Sequence, residues 1–233
     1  MALFTIGDLH LSQSVPKPMD IFGGKWQGYT KKILQNFRAV LQPSDMVVIP
    51  GDISWGINLE EAKEDFALLQ TLPGQKVILK GNHDLWWTTR SKMQIFLQEN
   101  QFHTICFLHN DCVMYERTAI CGTRGWVFSE PFSSPQDEKI FKRELLRLEA
   151  SLNAAAARKS EEIYCFFHYP PVYTGAACEA ILNLLKKYGV QRCFYGHLHG
   201  ESLKFAVCKK IQGIEFRCVS ADYLNFIPYL LKK

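Results

Sequence analysis

Five short apolar runs in this chain each end in a loop that carries Asp, Asn or His, and no other feature restricts the fold as tightly. Residues 2–6 lead into Gly7-Asp8-Leu9-His10, and residues 46–49 into Pro50-Gly51-Asp52. Val77-Ile78-Leu79 leads into Lys80-Gly81-Asn82-His83-Asp84. Residues 162–167 lead into His168-Tyr169-Pro170-Pro171, and residues 191–195 into Gly196-His197-Leu198-His199-Gly200. Short apolar runs bounded by turn residues read as buried strands. Five strands that each deliver a hard metal donor past their ends predict one shared edge, because sites in open α/β sheets lie beyond the carboxyl ends of strands.

Between the first three runs the periodicity is helical. Residues 29–41 place Ile33, Leu34, Phe37, Val40 and Leu41 on one face. Residues 59–69 follow Asn58, a good N-cap, with Glu60 and Glu61 in the first turn. Strand, helix, strand, helix, strand predicts a largely parallel sheet with crossover helices. Residues 12–27 predict a loop whose aromatic end, Phe22-Gly23-Gly24-Lys25-Trp26, either packs on the surface or folds over a pocket. Helices are expected over 91–97, 138–157 and 177–188, with a loop at 131–135. Residues 104–108, 112–115 and 118–121 predict a meander, and 203–207 with 214–219 a closing antiparallel pair. Without an internal repeat or linker, residues 1–233 are expected to form a single domain with two sheets.

Composition narrows the partners. The chain is 47% hydrophobic and 21% charged, an ordinary globular balance. Its net charge of +4 comes from 27 basic and 23 acidic residues, and its Lys-Lys pairs are scattered, which argues against a nucleic-acid stripe. Eight cysteines without a Cys-x-x-Cys pair, most within apolar runs, suit buried thiols of a reduced protein. With no signal peptide evident, a cytoplasmic location is expected. No apolar run approaches the ~18 residues of a membrane span.

Asp8, His10, Asp52, Asn82, His168, His197 and His199 form the candidate ligand set. Carboxylate, imidazole and amide oxygen together suit divalent Mn, Fe or Zn rather than soft thiolate chemistry. Seven donors exceed one tetrahedral site and fit two ions of higher coordination, an arrangement that can clamp both oxygens of a phosphoryl displacement. As i, i+2 pairs on extended strand ends, Asp8 with His10 and His197 with His199 would point to one side. The glycines at 7, 51, 81, 196 and 200 would allow tight turns and positive φ, leaving room for metal and phosphate.

Asp-x-His, Gly-Asp, Gly-Asn-His-Asp, a lone His and Gly-His-x-His, in that order over residues 7–200, resemble the calcineurin-like metallophosphoesterase superfamily. The resemblance implies an α/β fold of metallo-dependent phosphatase type: a four-layer α-β-β-α sandwich, two mixed β-sheets flanked by helices. It implies hydrolysis of a phosphomonoester or phosphodiester by a metal-bridging hydroxide. Asp8, His10 and His199 would hold the first metal, Asp52 would bridge, and Asn82, His168 and His197 would hold the second. His83 would contact the phosphate and protonate the leaving oxygen. The expected substrate is small or nucleotide-like. A nuclease and a non-catalytic interaction scaffold are the alternatives: the first calls for a basic groove, the second for lost ligands, and the sequence displays neither.

The chain departs from the Ser/Thr protein phosphatase branch, where the second motif continues to an Asp-Arg pair. Here Trp55 stands at the position of that Asp, so the orienter of His83 is unassigned. Phe22-Gly-Gly-Lys-Trp26, Trp86-Trp87 and Gly122-Thr-Arg-Gly-Trp126 resemble instead an uncharacterised bacterial phosphohydrolase group. Arg90, Arg124, Trp86 and Tyr169 are candidate substrate contacts, the arginines for phosphate oxygens and the aromatics for pocket walls. His103 and His109 are expected to be structural.

Overall fold

The computed structural model describes residues 1–129 and 131–233. Alternating apolar residues build its layers. In chain order the main elements are β1 (Leu3–Thr5), α1 (Tyr29–Val40), β2 (Met46–Pro50), α2 (Leu59–Gln70), β3 (Gln75–Leu79), α3 (Arg90–Glu99) and β4 (Ile105–Phe107). Then follow β5 (Val113–Tyr115), β6 (Thr118–Thr123), α4 (Pro135–Ala157), β7 (Glu162–Phe167), β8 (Val172–Tyr173), β9 (Ala176–Ala177) and α5 (Glu179–Lys187). β10 (Arg192–Tyr195), β11 (Lys210–Ile211), β12 (Ile214–Cys218) and β13 (Tyr229–Lys232) complete the chain.

One large sheet has the order β13-β1-β2-β3-β4 and the other β11-β12-β10-β7-β6-β5, and β8 and β9 form a small antiparallel pair of their own. Both are mixed: β13 is antiparallel on β1, and β5 and β11 are antiparallel at the edges of the second sheet. Along β3, Val77 and Leu79 face the other sheet while Ile78 faces the helices. Along β7, Tyr164 and Phe166 face the first sheet, while Ile163, Cys165 and Phe167 face the helices. Every second residue therefore serves a different core, the period of a strand buried on both faces. The result is the four-layer α-β-β-α sandwich with helices outside both sheets.

Asn58 caps α2 as its position suggests, accepting the amide of Glu61 at 2.9 Å. Elsewhere the structure corrects the sequence reading. The stretch 104–121 is no meander: β4 pairs parallel with β3 in the first sheet, whereas β5 and β6 pair in the second. The turn at Asn110-Asp111 carries the chain from one sheet to the other. α4 starts at Pro135, capped by Ser134, because proline's fixed φ suits the first helical turn. Residues 200–205 form a 3-10 helix rather than a strand, and the antiparallel partner of β12 is β11. The aromatic loop contains two short 3-10 turns, Met19–Phe22 and Gly24–Trp26. β13 had no counterpart in the sequence reading. No helix is long and apolar enough to cross a membrane among the described residues. Six of the eight cysteines are buried, with Cys106 and Cys208 exposed.

Candidate metal centre

The carboxyl ends of β1, β2 and β3 in one sheet and of β7 and β10 in the other meet at one edge. A backbone bond from Gly7 N to the Val219 carbonyl, 2.7 Å, links the sheets there. All seven candidate ligands arrive at this edge. Asp8, His10 and His199 form one group of donor atoms, and Asp8, Asp52 and His168 a second, each with its atoms within 4.8 Å of one another. Oδ2 of Asp52, in the second group, stands 3.6 Å from His10 Nε2 of the first and 3.4 Å from His168 Nε2 of its own, and Asp8 belongs to both groups. His168 Nε2 also lies 2.6 Å from Asn82 Oδ1 and 3.2 Å from His197 Nδ1.

Several of these groups face one another acceptor to acceptor. The carbonyl of Pro50 can only accept, so His168 Nδ1 donates to it at 3.1 Å and leaves a lone pair on Nε2. That lone pair faces the oxygens of Asn82 and Asp52. At the other group, His199 Nδ1 donates to Asp222 at 3.0 Å, while its Nε2 faces His10 Nε2 at 3.4 Å and Asp8 Oδ1 at 3.5 Å. A buried nest of lone pairs is what a cation resolves, and the outer hydrogen bonds to Pro50 and Asp222 fix each imidazole for ligation. The residues fit divalent metal ions.

Proton affinities reflect the same crowding. Burial lowers His168 to about 3 and His197 to about 4. Burial also acts on His199, but Asp8 and Asp222 raise it to about 10. Asp8 is held below the usual carboxylate range: the neighbouring imidazoles, His199 foremost, outweigh its burial. Asp52 is pushed up by burial and by the nearby carboxylates of Asp84 and Asp8. A proton on His199 thus occupies the position that a cation would take.

The backbone is strained here. Asp8, His10, Asp52 and His197 all have φ between 46° and 70°. Four of the seven candidate ligands thus sit in the left-handed region, where non-glycine residues are uncommon and strain gathers at functional sites. The i, i+2 pairs therefore bend rather than continue as strands. The glycines also act differently from the sequence expectation. Gly81 and Gly196 lack positive φ and serve close approach: a Cβ would come within 2.0 Å of Asp52 Oδ1 at the first and 2.4 Å of Asp8 Oδ2 at the second. The room they leave is filled by ligand carboxylates.

Asp84, which sequence could not place, does not orient His83. Its buried carboxylate accepts the amides of Gly81 (2.7 Å), Asp52 (2.9 Å) and Ile53 (2.8 Å) and the indole of Trp86 (3.1 Å). It ties the second motif loop to the third. His83 is half-buried. Its amide donates to Asp52 Oδ1 at 2.8 Å, and its ring lies 4.4 Å from Trp55 and 5.6 Å from His10. No side chain hydrogen-bonds that ring among the described residues. Burial and the charge of His199 lower its proton affinity.

Of the candidate substrate contacts, only Tyr169 stands beside the ligands, its ring 4.2 Å from that of His197. Trp86 is 2% exposed, packed on Phe66 and bonded to Asp84, so it supports the loop from the core side. Arg90 is an exposed residue paired with Asp111 at 3.5 Å, at a groove that none of the seven ligands lines. Arg124 lies over Trp126 and pairs with Glu144 at 3.6 Å, and its carbonyl anchors the amides of His168 and Tyr169. Trp86 is thus buried, Arg90 stands apart from the seven ligands, and Arg124 is mostly buried with its Nε unpartnered. His109 accepts the Trp87 indole at 3.2 Å. Asp222 was missed. Its signal is faint: an acidic residue just after the apolar run of β12, at the same sheet edge.

A family model described as calcineurin-like phosphoesterase matches residues 1–201. No curated protein matches the sequence significantly. Three solved structures share the fold. A protein of unknown function from Aquifex aeolicus is 17% identical with a TM-score of 0.54, over 98% of this chain and 95% of that one. A phosphopantetheinyl hydrolase from Mycobacterium tuberculosis is 16% identical with a TM-score of 0.55, over 99% and 95%. A protein from Thermus thermophilus, TT1561, is 10% identical with a TM-score of 0.59, over 99% and 97%. At such identities the likeness is one of fold.

Proposed function

The chain belongs to the calcineurin-like phosphoesterase family, a family of metal-dependent phosphoester hydrolases, and within it we propose that this protein is a dinuclear hydrolase of small phosphoesters. The observation that carries the reading is the convergence of seven donor side chains of metal-ligating type from five strand ends on one strained edge. Asp8, His10 and His199 would hold one ion and Asn82, His168 and His197 the other, with Asp52 between them. Divalent ions bound there supply Lewis acidity toward a phosphoryl oxygen and lower the pKa of water.

The chain's own groups do the rest. Asp84 fixes the two loops that present Asp52 and Asn82. Pro50 and Asp222 hold His168 and His199 in the tautomer that ligates. His83, free of a side-chain hydrogen bond, donates the proton at the leaving oxygen. The substrate is a small phosphorylated molecule, and the mostly buried cysteines suit the reducing cytoplasm. Chelated protein supplied with Mn²⁺ is expected to hydrolyse p-nitrophenyl phosphate or bis(p-nitrophenyl) phosphate, and which of the two separates monoesterase from diesterase. No turnover of either with Mn²⁺, Fe²⁺ or Zn²⁺ would overturn the reading.

A further inference from the structure

Beside the first ligand group opens a cavity of about 800 Å³. That is toward the large end of the roughly 300–1,000 Å³ typical of small-molecule sites. His10, His83 and His199 line it, so anything in it lies beside the first ligand group and the proposed proton donor. Its walls are Met19, Phe22, Trp26, Trp55 and Leu203.

These walls are predominantly apolar, and most of their polar atoms are engaged, but the buried indole N–H of Trp55 has no hydrogen-bond partner among the described residues. Asp222 spends its carboxylate on His199 and on the amide of Gly200, at 3.0 and 2.9 Å. Lys25 donates to the Asp222 carbonyl at 2.9 Å. The two sides of the aromatic loop differ in kind. Trp26 is 5% exposed and packs edge-on to His199 at 5.5 Å, with Tyr29 and Phe226 behind it. Phe22 is 68% exposed at the rim, a large apolar ring left in water. Loop packing therefore explains Trp26 and leaves Phe22 unexplained.

Resting on the hydrolase reading, we propose that this cavity is the subsite for the organic part of the substrate, and that it takes a flat aromatic group joined to the phosphorus. Trp26, Trp55 and Phe22 offer faces and edges for a ring, and Leu203 with Met19 complete an apolar slot. One buried donor, the Trp55 indole N–H, is left for an acceptor on the edge of that ring. Selection is thus chiefly by ring face and shape.

The test is calorimetric binding of two phosphonates to the Mn²⁺-supplied protein: 2-phenylethylphosphonate and ethylphosphonate, which share a headgroup and differ by one ring. The aromatic probe is expected to bind at least about 10-fold more tightly, as burial of a ring in an aromatic slot implies. Phe22→Ala and Leu203→Ala, both at partly exposed positions, should each shrink that ratio severalfold. A ratio within twofold of unity, absence of binding by either probe, or a ratio unchanged in both variants would overturn the subsite. Hydrolysis of the matching phosphate esters, followed in parallel, tests the hydrolase reading separately. Cleavage without ring preference defeats only the subsite, and ring preference without cleavage defeats only the hydrolase.

Discussion

The carboxylate of Asp84 accepts the backbone amide of Asp52 at 2.9 Å, so the loop after β3 fixes the ligand at the end of β2 from within the core. Replacing Asp84 by Ala strands that amide, those of Gly81 and Ile53, and the Trp86 indole. Each buried unsatisfied donor costs about 1–3 kcal/mol, and the expected total is on the order of 3–5 kcal/mol once the loop relaxes. Denaturant unfolding of the chelated variant measures it. A loss below ~1 kcal/mol would mean that Asp84 is not the tie its bonds describe.

Trp55 touches both His83 and His10, at 4.4 and 4.9 Å between ring centroids. If His83 is the proton donor and Trp55 its support, their loss matters most for poor leaving groups. His83→Ala is expected to slow alkyl phosphate esters by ~10²–10⁴-fold and p-nitrophenyl esters far less. Trp55→Ala should show the same selectivity at about 10- to 100-fold, because misplacement of a catalytic group is costly. Equal losses on both ester types, with metal content reduced, would assign Trp55 to the support of His10 instead.

His199, raised to about 10 between Asp8 and Asp222, carries a proton at neutral pH in the metal-free chain. Ligation requires its Nε2 lone pair, so filling that position should release about one proton at pH 7. Calorimetry of Mn²⁺ binding in buffers of different ionisation enthalpy reads the count. In His199→Gln the release should disappear; proton-neutral binding by the wild type would contradict the assignment.

Acid should destabilise the metal-free protein. His168 and His197 fall from 6.5 unfolded to about 3 and about 4 folded, so the folded chain favours their neutral forms. Their contribution is complete above pH 6.5 and is lost as the pH falls toward 3–4. His199 has the opposite sign: its contribution is complete below pH 6.5 and is lost as the pH rises through about 10. The thermal midpoint of chelated protein should therefore drop between pH 7 and pH 4. A midpoint that stays level over that window would contradict the buried neutral imidazoles.

Local patterns carried the ligand set in sequence, because each donor follows its own apolar run and strand ends converge in this architecture. The capping of α2 by Asn58 was legible for the same local reason. What escaped depends on contacts distant in sequence. β4 looks like a meander strand until β3, some 30 residues earlier, claims it. β13 is short and pairs across the whole chain with β1. Asp222 and His199, 23 positions apart, meet only when β12 packs beside β10. Arg90, Arg124 and Trp86 have the right chemistry for substrate, but their contacts with Asp111, Glu144 and Phe66 are not legible in the sequence.

The most direct test is Asp52→Asn. Asp52 faces a histidine of each ligand group, and its amide and carboxylate connect both to Asp84 and His83. With Mn²⁺ supplied, the variant is expected to stay folded, hold less metal than the wild type, and lose phosphoester turnover by at least ~10²-fold. Full turnover in Asp52→Asn, with metal content unchanged, would contradict the account.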